Sequence, residues 1–362
     1  MDFSYAGMAA EVIDAPNVKN MSIRNTHQFS LEVIMHYKLL NSAHRTKNPN
    51  EAHVFYIPSY VGLKCMSNHA WSEQYLDEYL NELETFLLNQ THFKEGKPHI
   101  SSIAKIHREM AGYGCRYLYH PISKNITYFA IEKENSPNVY SMQDAAQSVI
   151  VVPYPSYMHY TGNNVSQQSF KYTRNILALY PVGVSKFPEI RAVLGNQFTH
   201  KTEQTYADFM RSEHDNNSSV DMVQILTEEC ELDGKQVTKV VSWMTHSLFC
   251  LQPPGDSPTR KSFYDSILCG CIPVIFKENQ IPYAFSSILD YHRFSVVIDI
   301  SSFIQNHDHI ENILRKISAS RIKNMQRRLD EISKFMQYSE TNNNDYDATE
   351  LIMRELAQVM KL

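Results

Sequence analysis

The chain has almost no tryptophan (two residues), little glycine (eleven) and no apolar run near the roughly 20 residues that cross a bilayer. None of the glycines builds a Walker A loop, a Gly-x-Gly-x-x-Gly after a strand, or a Gly-x-Ser-x-Gly elbow, which weighs against kinase, dehydrogenase and hydrolase chemistry. The six cysteines, at 65, 115, 230, 250, 269 and 271, show no metal-ligand spacing. Cys250, Cys269 and Cys271 fall in or beside apolar strands and read as small buried hydrophobes, with nothing that demands an oxidising compartment. No signal-peptide core opens the chain. A net charge of −5 gives no reason to expect a nucleic acid or an anionic membrane as partner. The one Asp-x-Asp, Asp345 to Asp347, sits in a polar stretch before the last helix and reads as a solvated helix start, not as a metal-diphosphate site.

What is present is a 362-residue globular composition, 43% hydrophobic and 20% charged, long enough for two domains. Phe29, Val33, Ile34, Tyr37 and Leu40 form a helical stripe, and AHVFYIP from Ala52 reads as a buried strand. Trp71 to Leu88 is a second amphipathic helix. Strands are predicted at His99 to Ile103, from Asn125 (NITYFAIE), from Val149, at NILALYPVG ending in Gly183, and at FSVVIDI from Phe294. Residues 196–235 read as polar and weakly patterned, with the NNSS at 216–219 as a loop tip. Helices are predicted at FPEIRAVL, at ENILRKI, from Arg321, and at Ala348 to Met360. The turn-rich GNNVSQQ at Gly162 to Gln168 suggests a domain boundary.

The most informative stretch is Leu248 to Phe276, LFCLQPPGDSPTRKSFYDSILCGCIPVIF. It reads as strand, turn, helix, turn, strand. Pro253, Pro254 and Gly255 break the first strand; Ser257 is the expected N-cap with Pro258 at the first helical position, and Gly270 is the expected stop. The first turn of such a helix offers free N–H groups and a positive dipole end, with Thr259, Arg260 and Lys261 alongside, which suits a phosphate or carboxylate. Asp265 would lie roughly 12 Å from that helix start, a separation that suits a ribose hydroxyl beside a diphosphate. Spacing alone leaves a second reading open, a capped surface helix carrying a Lys261–Asp265 pair.

FCLQPPGDSPTRKSFYDSILCGCIPVIF closely resembles the signature of the exostosin-like glycosyltransferases, family 47, and within it the plant xyloglucan galactosyltransferase branch. NTHQFSLEVIMHYKLL and EAHVFYIPSYVGL resemble that branch's N-terminal segments, whereas EMAGYGCRYLYHP departs from it. The resemblance implies an α/β fold of GT-B type, two Rossmann-like domains facing across a cleft. Its expected division is 1–165 (acceptor side), 166–338 (nucleotide-sugar side) and 339–362, a linker and a C-terminal helix crossing back onto the first domain. It implies inverting transfer of a sugar, galactose as first choice, from a UDP-sugar to a glycan hydroxyl, with no cofactor and no essential metal. Xylose, arabinose and galacturonate stay open as donor sugars. A non-catalytic UDP-sugar-binding or glycan-binding subunit is the alternative motivated by the departure.

The donor-binding residues implied by the resemblance are Gly183, Arg191, Pro254, Gly255, Asp256, Ser257, Thr259, Arg260, Lys261, Ser262 and Asp265, with the helix start and Arg260 on the diphosphate. A base must take the acceptor proton, and His99 is the first candidate because it begins a strand where the family has a histidine. Glu32 is next, then His27 and His159. The acceptor is expected to be an oligosaccharide, polysaccharide or glycoprotein glycan. Plant relatives are usually anchored in the Golgi by an N-terminal helix. This chain is therefore expected to be cytoplasmic if Met1 is the native start, or a trimmed Golgi-luminal domain. Sequons at Asn20, Asn89, Asn125, Asn164, Asn216 and Asn217 would permit glycosylation in a secretory lumen.

Overall fold

The computed structural model describes residues 21–66, 73–105, 110, 117–133, 148–161, 174–183, 189–197, 220–227, 234–255, 257–277, 283–339 and 347–361. The expectations at residues 1–20, the boundary at 162–168, the loop tip at 216–219, Asp256, Asp345, most of the departing segment after Glu109, and the sequons at Asn20, Asn164, Asn216 and Asn217 lie outside those residues.

The described chain opens with β1 (Met21–Ile23), α1 (Leu31–Leu40), β2 (Phe55–Ile57), α2 (Val61–Met66), α3 (Glu73–Asn89), α4 (Thr91–Lys94), β3 (His99–Ile103), β4 (Ile126–Ala130), β5 (Ser148–Val151) and β6 (Met158–Tyr160). It continues through β7 (Ile176–Gly183), α5 (Glu189–Gln197), β8 (Val220–Thr227), α6 (Gly234–His246), β9 (Ser247–Gln252), α7 (Lys261–Leu268), β10 (Ile272–Lys277), β11 (Val296–Asp299), α8 (Ile300–Gln305), α9 (Ile310–Arg315), α10 (Ala319–Ile332) and α11 (Ala348–Met360). Two parallel sheets result, β2-β3-β4-β5 and β11-β10-β9-β7-β8, with β1 and β6 paired antiparallel as a small third sheet. This is the two-sheet α/β architecture that the GT-B resemblance implies. No described helix is long and apolar enough to cross a membrane.

The central unit β9-α7-β10 forms because both strands are continuous apolar runs, which suits a parallel sheet covered on both faces. Phe263, Tyr264, Ile267 and Leu268 are fully buried, each stabilising the packing by about 1.5–3 kcal/mol. Gly270 stops α7 at φ +66°. Its N–H donates to Ile267 O and the Cys271 N–H to Ser266 O, the paired bonds of a Schellman end. One apolar cluster runs from Leu31 and Phe129 of the first sheet's side through Tyr154 and Tyr264 to Phe249, Ile352 and Leu356. The two sheets therefore share a core.

Four expectations are corrected. α7 begins at Lys261 with Arg260 as N-cap, so Ser257 and Pro258 precede the helix instead of opening it. Residues 220–227 form β8, an edge strand beside β7, within the stretch that reads as polar and weakly patterned; Asp221 and Gln224 dilute its apolar signal. Cys250 and Cys271 form a disulfide across the two ends of the central unit, and Cys65 is disulfide-bonded as well, while Cys269 is a buried free thiol. Asp347 is fully buried, not solvated: it caps α11 through Thr349 N–H and ion-pairs with Lys38 of α1 at 2.6 Å.

Candidate active site

In parallel α/β sheets, ligands gather at the carboxyl ends of the strands. Here β9 ends at Gln252 and is followed by Pro253, Pro254 and Gly255, while β7 ends at Gly183. Two arginines converge on that turn. Arg191, on the first turn of α5 and nearly buried, donates from Nε to Pro254 O at 2.9 Å. Arg260, just before α7, donates from Nη1 to Pro253 O at 3.1 Å. A Cβ on Gly255 would stand 2.5 Å from Arg191 Nη2, so a side chain at 255 would displace the guanidinium. Tyr180 OH donates to Arg191 O at 3.2 Å and steadies the helix start. Burial first, and the like charge of Arg191 second, pull the Arg260 guanidinium down to about 10; Tyr283, Tyr180 and Tyr154 are its other electrostatic neighbours.

The hydroxyls that the sequence assigned to the helix start are turned elsewhere. Ser257 Oγ donates to Glu132 Oε1 at 2.8 Å, Thr259 Oγ1 bonds the same oxygen, and Tyr154 OH donates to it at 2.7 Å. Glu132 is buried just past β4 of the first sheet, so this carboxylate ties the arginine turn to the N-terminal half. Sequence reasoning passed over Glu132, although its place after the strand NITYFA, at the carboxyl end, was the available signal. Tyr154, Tyr180 and Tyr283 were passed over too, because core tyrosines carry no pattern of their own.

The remaining predicted residues divide. Ser262 Oγ donates to Gln252 Oε1 at 2.7 Å, fixing α7 to β9. Asp265 does not present an open face to a ribose: it is 2% exposed, Oδ1 accepts from Ser156 Oγ at 2.5 Å and Tyr157 N–H at 3.0 Å, and Oδ2 pairs with Lys261 Nζ at 3.2 Å. With α7 starting at Lys261, Asp265 is about 6 Å along the axis from the helix start, not 12. Lys261 is thereby turned inward, over the Tyr157 ring, and burial brings its ammonium down to about 7 against the upward pull of Asp265. Gly183 closes β7 opposite Thr227.

The base candidates are relocated most. His99 opens β3 opposite Ile126, the first residue of β4, so it sits at the amino edge of the sheet. Four residues of strand, about 13 Å, separate it from the edge that meets the arginine turn. It packs against Phe55 and Phe93, its Nδ1–H donates to Lys97 O at 2.6 Å, and burial lowers its pKa. These are the contacts of a core histidine. Glu32 accepts from Gly62 N–H and Leu63 N–H, both at 2.8 Å, and so caps the start of α2. Burial raises it to about 7, partly offset by those amides. His159 is fully buried between Thr26 Oγ1 and Tyr338 O, and His27 Nδ1 accepts from Phe29 N–H.

Comparison with known proteins gives the family. The exostosin GT47 domain matches residues 6–317. A probable xyloglucan galactosyltransferase of Arabidopsis thaliana, GT17, is 27% identical over 360 residues, covering 92% of this chain and 71% of the relative. Xyloglucan-specific galacturonosyltransferase 1 of the same plant is 28% identical over 298 residues, covering 76% of this chain and 40% of the relative. Anabaena HepE, solved with UDP, is 10% identical over 82% of each chain at a TM-score of 0.37, too distant to carry an argument. With a family match across most of its length, the chain belongs to the exostosin GT47 family of glycosyltransferases.

Proposed function

We propose that the chain transfers a sugar, galactose as first choice, from a UDP donor to a hydroxyl of a glycan with inversion at the anomeric centre. The observation that carries this is the pair of like-charged guanidinium groups, Arg191 and Arg260, fixed on adjacent carbonyls of the Pro253–Gly255 turn. Each donates an N–H to the turn, which presets the guanidinium planes, and bidentate guanidinium contacts are the strong form of phosphate recognition. A departing diphosphate gains charge as the glycosidic bond to the donor breaks, and two preset cations stabilise it without reorganising. The arginines supply the positive charge in this reading, so no resident metal is invoked. Glu132 is the positioning residue that holds Ser257 and Thr259, and with them the turn, against the N-terminal half. The acceptor's proton passes to a base of the N-terminal half other than His99.

A panel of UDP-galactose, UDP-xylose, UDP-arabinose and UDP-galacturonate, read by UDP release with and without xyloglucan oligosaccharides, tests the reading. Acceptor-dependent release from one donor supports it, and the product's anomeric NMR coupling reports inversion. UDP binding without transfer from any donor identifies a binding subunit instead. Absence of UDP binding at millimolar concentration sinks both.

The cysteine pairing favours an oxidising lumen of the Golgi type over the cytosol. The sequon residues Asn89 and Asn125 are exposed, as glycan attachment there requires. Protein isolated from secreting cells under alkylation should carry blocked Cys250 and Cys271 and lose mass with an amidase that removes N-glycans. Freely alkylated Cys250 would contradict the lumen.

A further inference from the structure

A groove of about 1260 Å³ lies between the end of α1, the loop after it, the start of β2, and α11. It shares no residue with the arginine turn. It is lined by Phe55 and Tyr56 of β2, Pro58 just after that strand and Ile100 of β3, so it runs along the β2 edge of the first sheet. That volume exceeds the range of small-molecule pockets, roughly 300–1,000 Å³, and suits an extended ligand.

Its charge runs against that of the chain. Arg45, Lys47, Lys334 and Arg354 line it against two carboxylates, Glu51 and Glu350, in a protein of net charge −5. Both carboxylates are engaged. Glu51 accepts from Asn48 Nδ2 at 2.8 Å and from Thr46 Oγ1 at 3.3 Å within its own loop, and Glu350 pairs with Arg354 at 2.5 Å. The Arg45 side chain donates to Leu40 O at 3.2 Å, and among the described residues neither Arg45 nor Lys47 has an ion-pair partner. Rings complete the wall: His36 lies 6.0 Å from Tyr56, and His44 and His53 line the same space.

We propose that this groove binds an acidic oligosaccharide, a chain bearing uronate carboxylates, with Arg45 and Lys47 on the carboxylates and the Tyr56 and His36 rings against sugar faces. Guanidinium and ammonium groups suit carboxylates, and amphipathic rings suit the apolar faces of pyranoses. The choice of a saccharide over another polyanion rests on the transferase reading, and the charge preference does not.

The test titrates the full chain with an oligogalacturonate, with a neutral cello-oligosaccharide of equal length and with an oligothymidylate of equal charge, alongside UDP. The oligogalacturonate should bind at least tenfold more tightly than the neutral chain, about 1.4 kcal/mol, and more tightly than the oligothymidylate. The exposed pair Arg45→Glu with Lys47→Glu should weaken it by a further tenfold or more while UDP affinity stays unchanged. Equal binding of the neutral chain, tighter binding of the oligothymidylate, or a variant that binds as the parent does would each overturn the proposal. If UDP binds and the oligogalacturonate does not, the groove reading falls alone; if the reverse holds, the donor reading falls and the groove stands.

Discussion

Arg191 and Arg260 repel each other, and a protein holds two such groups side by side at a cost that an anion repays. Removing either should therefore weaken UDP binding by about 1.5–3 kcal/mol, roughly ten- to a hundredfold, without lowering the unfolding midpoint. Titration of Arg191→Ala and Arg260→Ala with UDP checks this; a variant that binds as the parent does removes that arginine from the site. Gly255→Ala probes the same place more narrowly, because its Cβ would stand 2.5 Å from Arg191 Nη2. Affinity should drop while the fold, whose backbone is undisturbed there, keeps its stability. Glu32 supplies a pH signature. Its folded pKa is raised to about 7 from the ordinary carboxylate value of 4.5, so the folded state holds the proton better, and its contribution is present below pH 4.5 and is lost as pH rises through 7. Burial-lowered His36 and His99 act in the opposite sense. The difference in urea-unfolding slope with pH between the parent and Glu32→Gln isolates the Glu32 part, on the order of 1–3 kcal/mol between pH 5 and 8. An unchanged slope would place Glu32 in water.

At the scale of elements, the β9-α7-β10 unit was legible almost to its ends: strands, apolar helix face and Gly270 stop all follow from patterns within one stretch. Its helix start was not. Ser257 and Thr259 had the composition of a cap, but their hydroxyls found Glu132, 125 and 127 residues away, and no local rule ranks a distant carboxylate above the nearest amide. The Cys250–Cys271 bond was hidden for a similar reason, since only the short parallel crossover brings those residues to a Cα separation of 5.7 Å. Closing a loop with a sequence separation of 21, it should contribute about 3 kcal/mol on the chain-entropy account. Cys250→Ala with Cys271→Ala should lower the unfolding free energy from urea titration by that amount under non-reducing conditions, and adding reductant should then shift the parent's midpoint more than the variant's. Equal shifts would show that the bond adds nothing.

Over the whole molecule, polar ties join parts of the chain distant in sequence around the shared core: Glu132 to Ser257 and Thr259, Asp265 to Ser156 and Tyr157, and Lys38 to Asp347. The last holds the start of α11 against α1 with both side chains fully buried. Breaking one partner of a buried pair leaves an uncompensated charge, so Asp347→Ala should cost about 3–5 kcal/mol, and adding Lys38→Met should restore part of it. Urea unfolding of the single and double variants checks this; a double variant no better than the single would mean that Asp347 acts through its bonds from Thr349 and Ser339 and not through Lys38.

The sequence by itself determined the family, the α/β class, the position of most strands and the presence of a cationic turn after β9, because each is written in contiguous residues or in a fixed period. Tertiary structure decided what those residues face. It set Arg191 beside Arg260 across 69 positions of sequence, turned Asp265 and Lys261 inward, and put His99 at the edge of the sheet away from the arginine turn. Strand polarity is the reason in the last case: a histidine that begins a parallel strand lies at the amino edge, while the carboxyl edges gather around the turn.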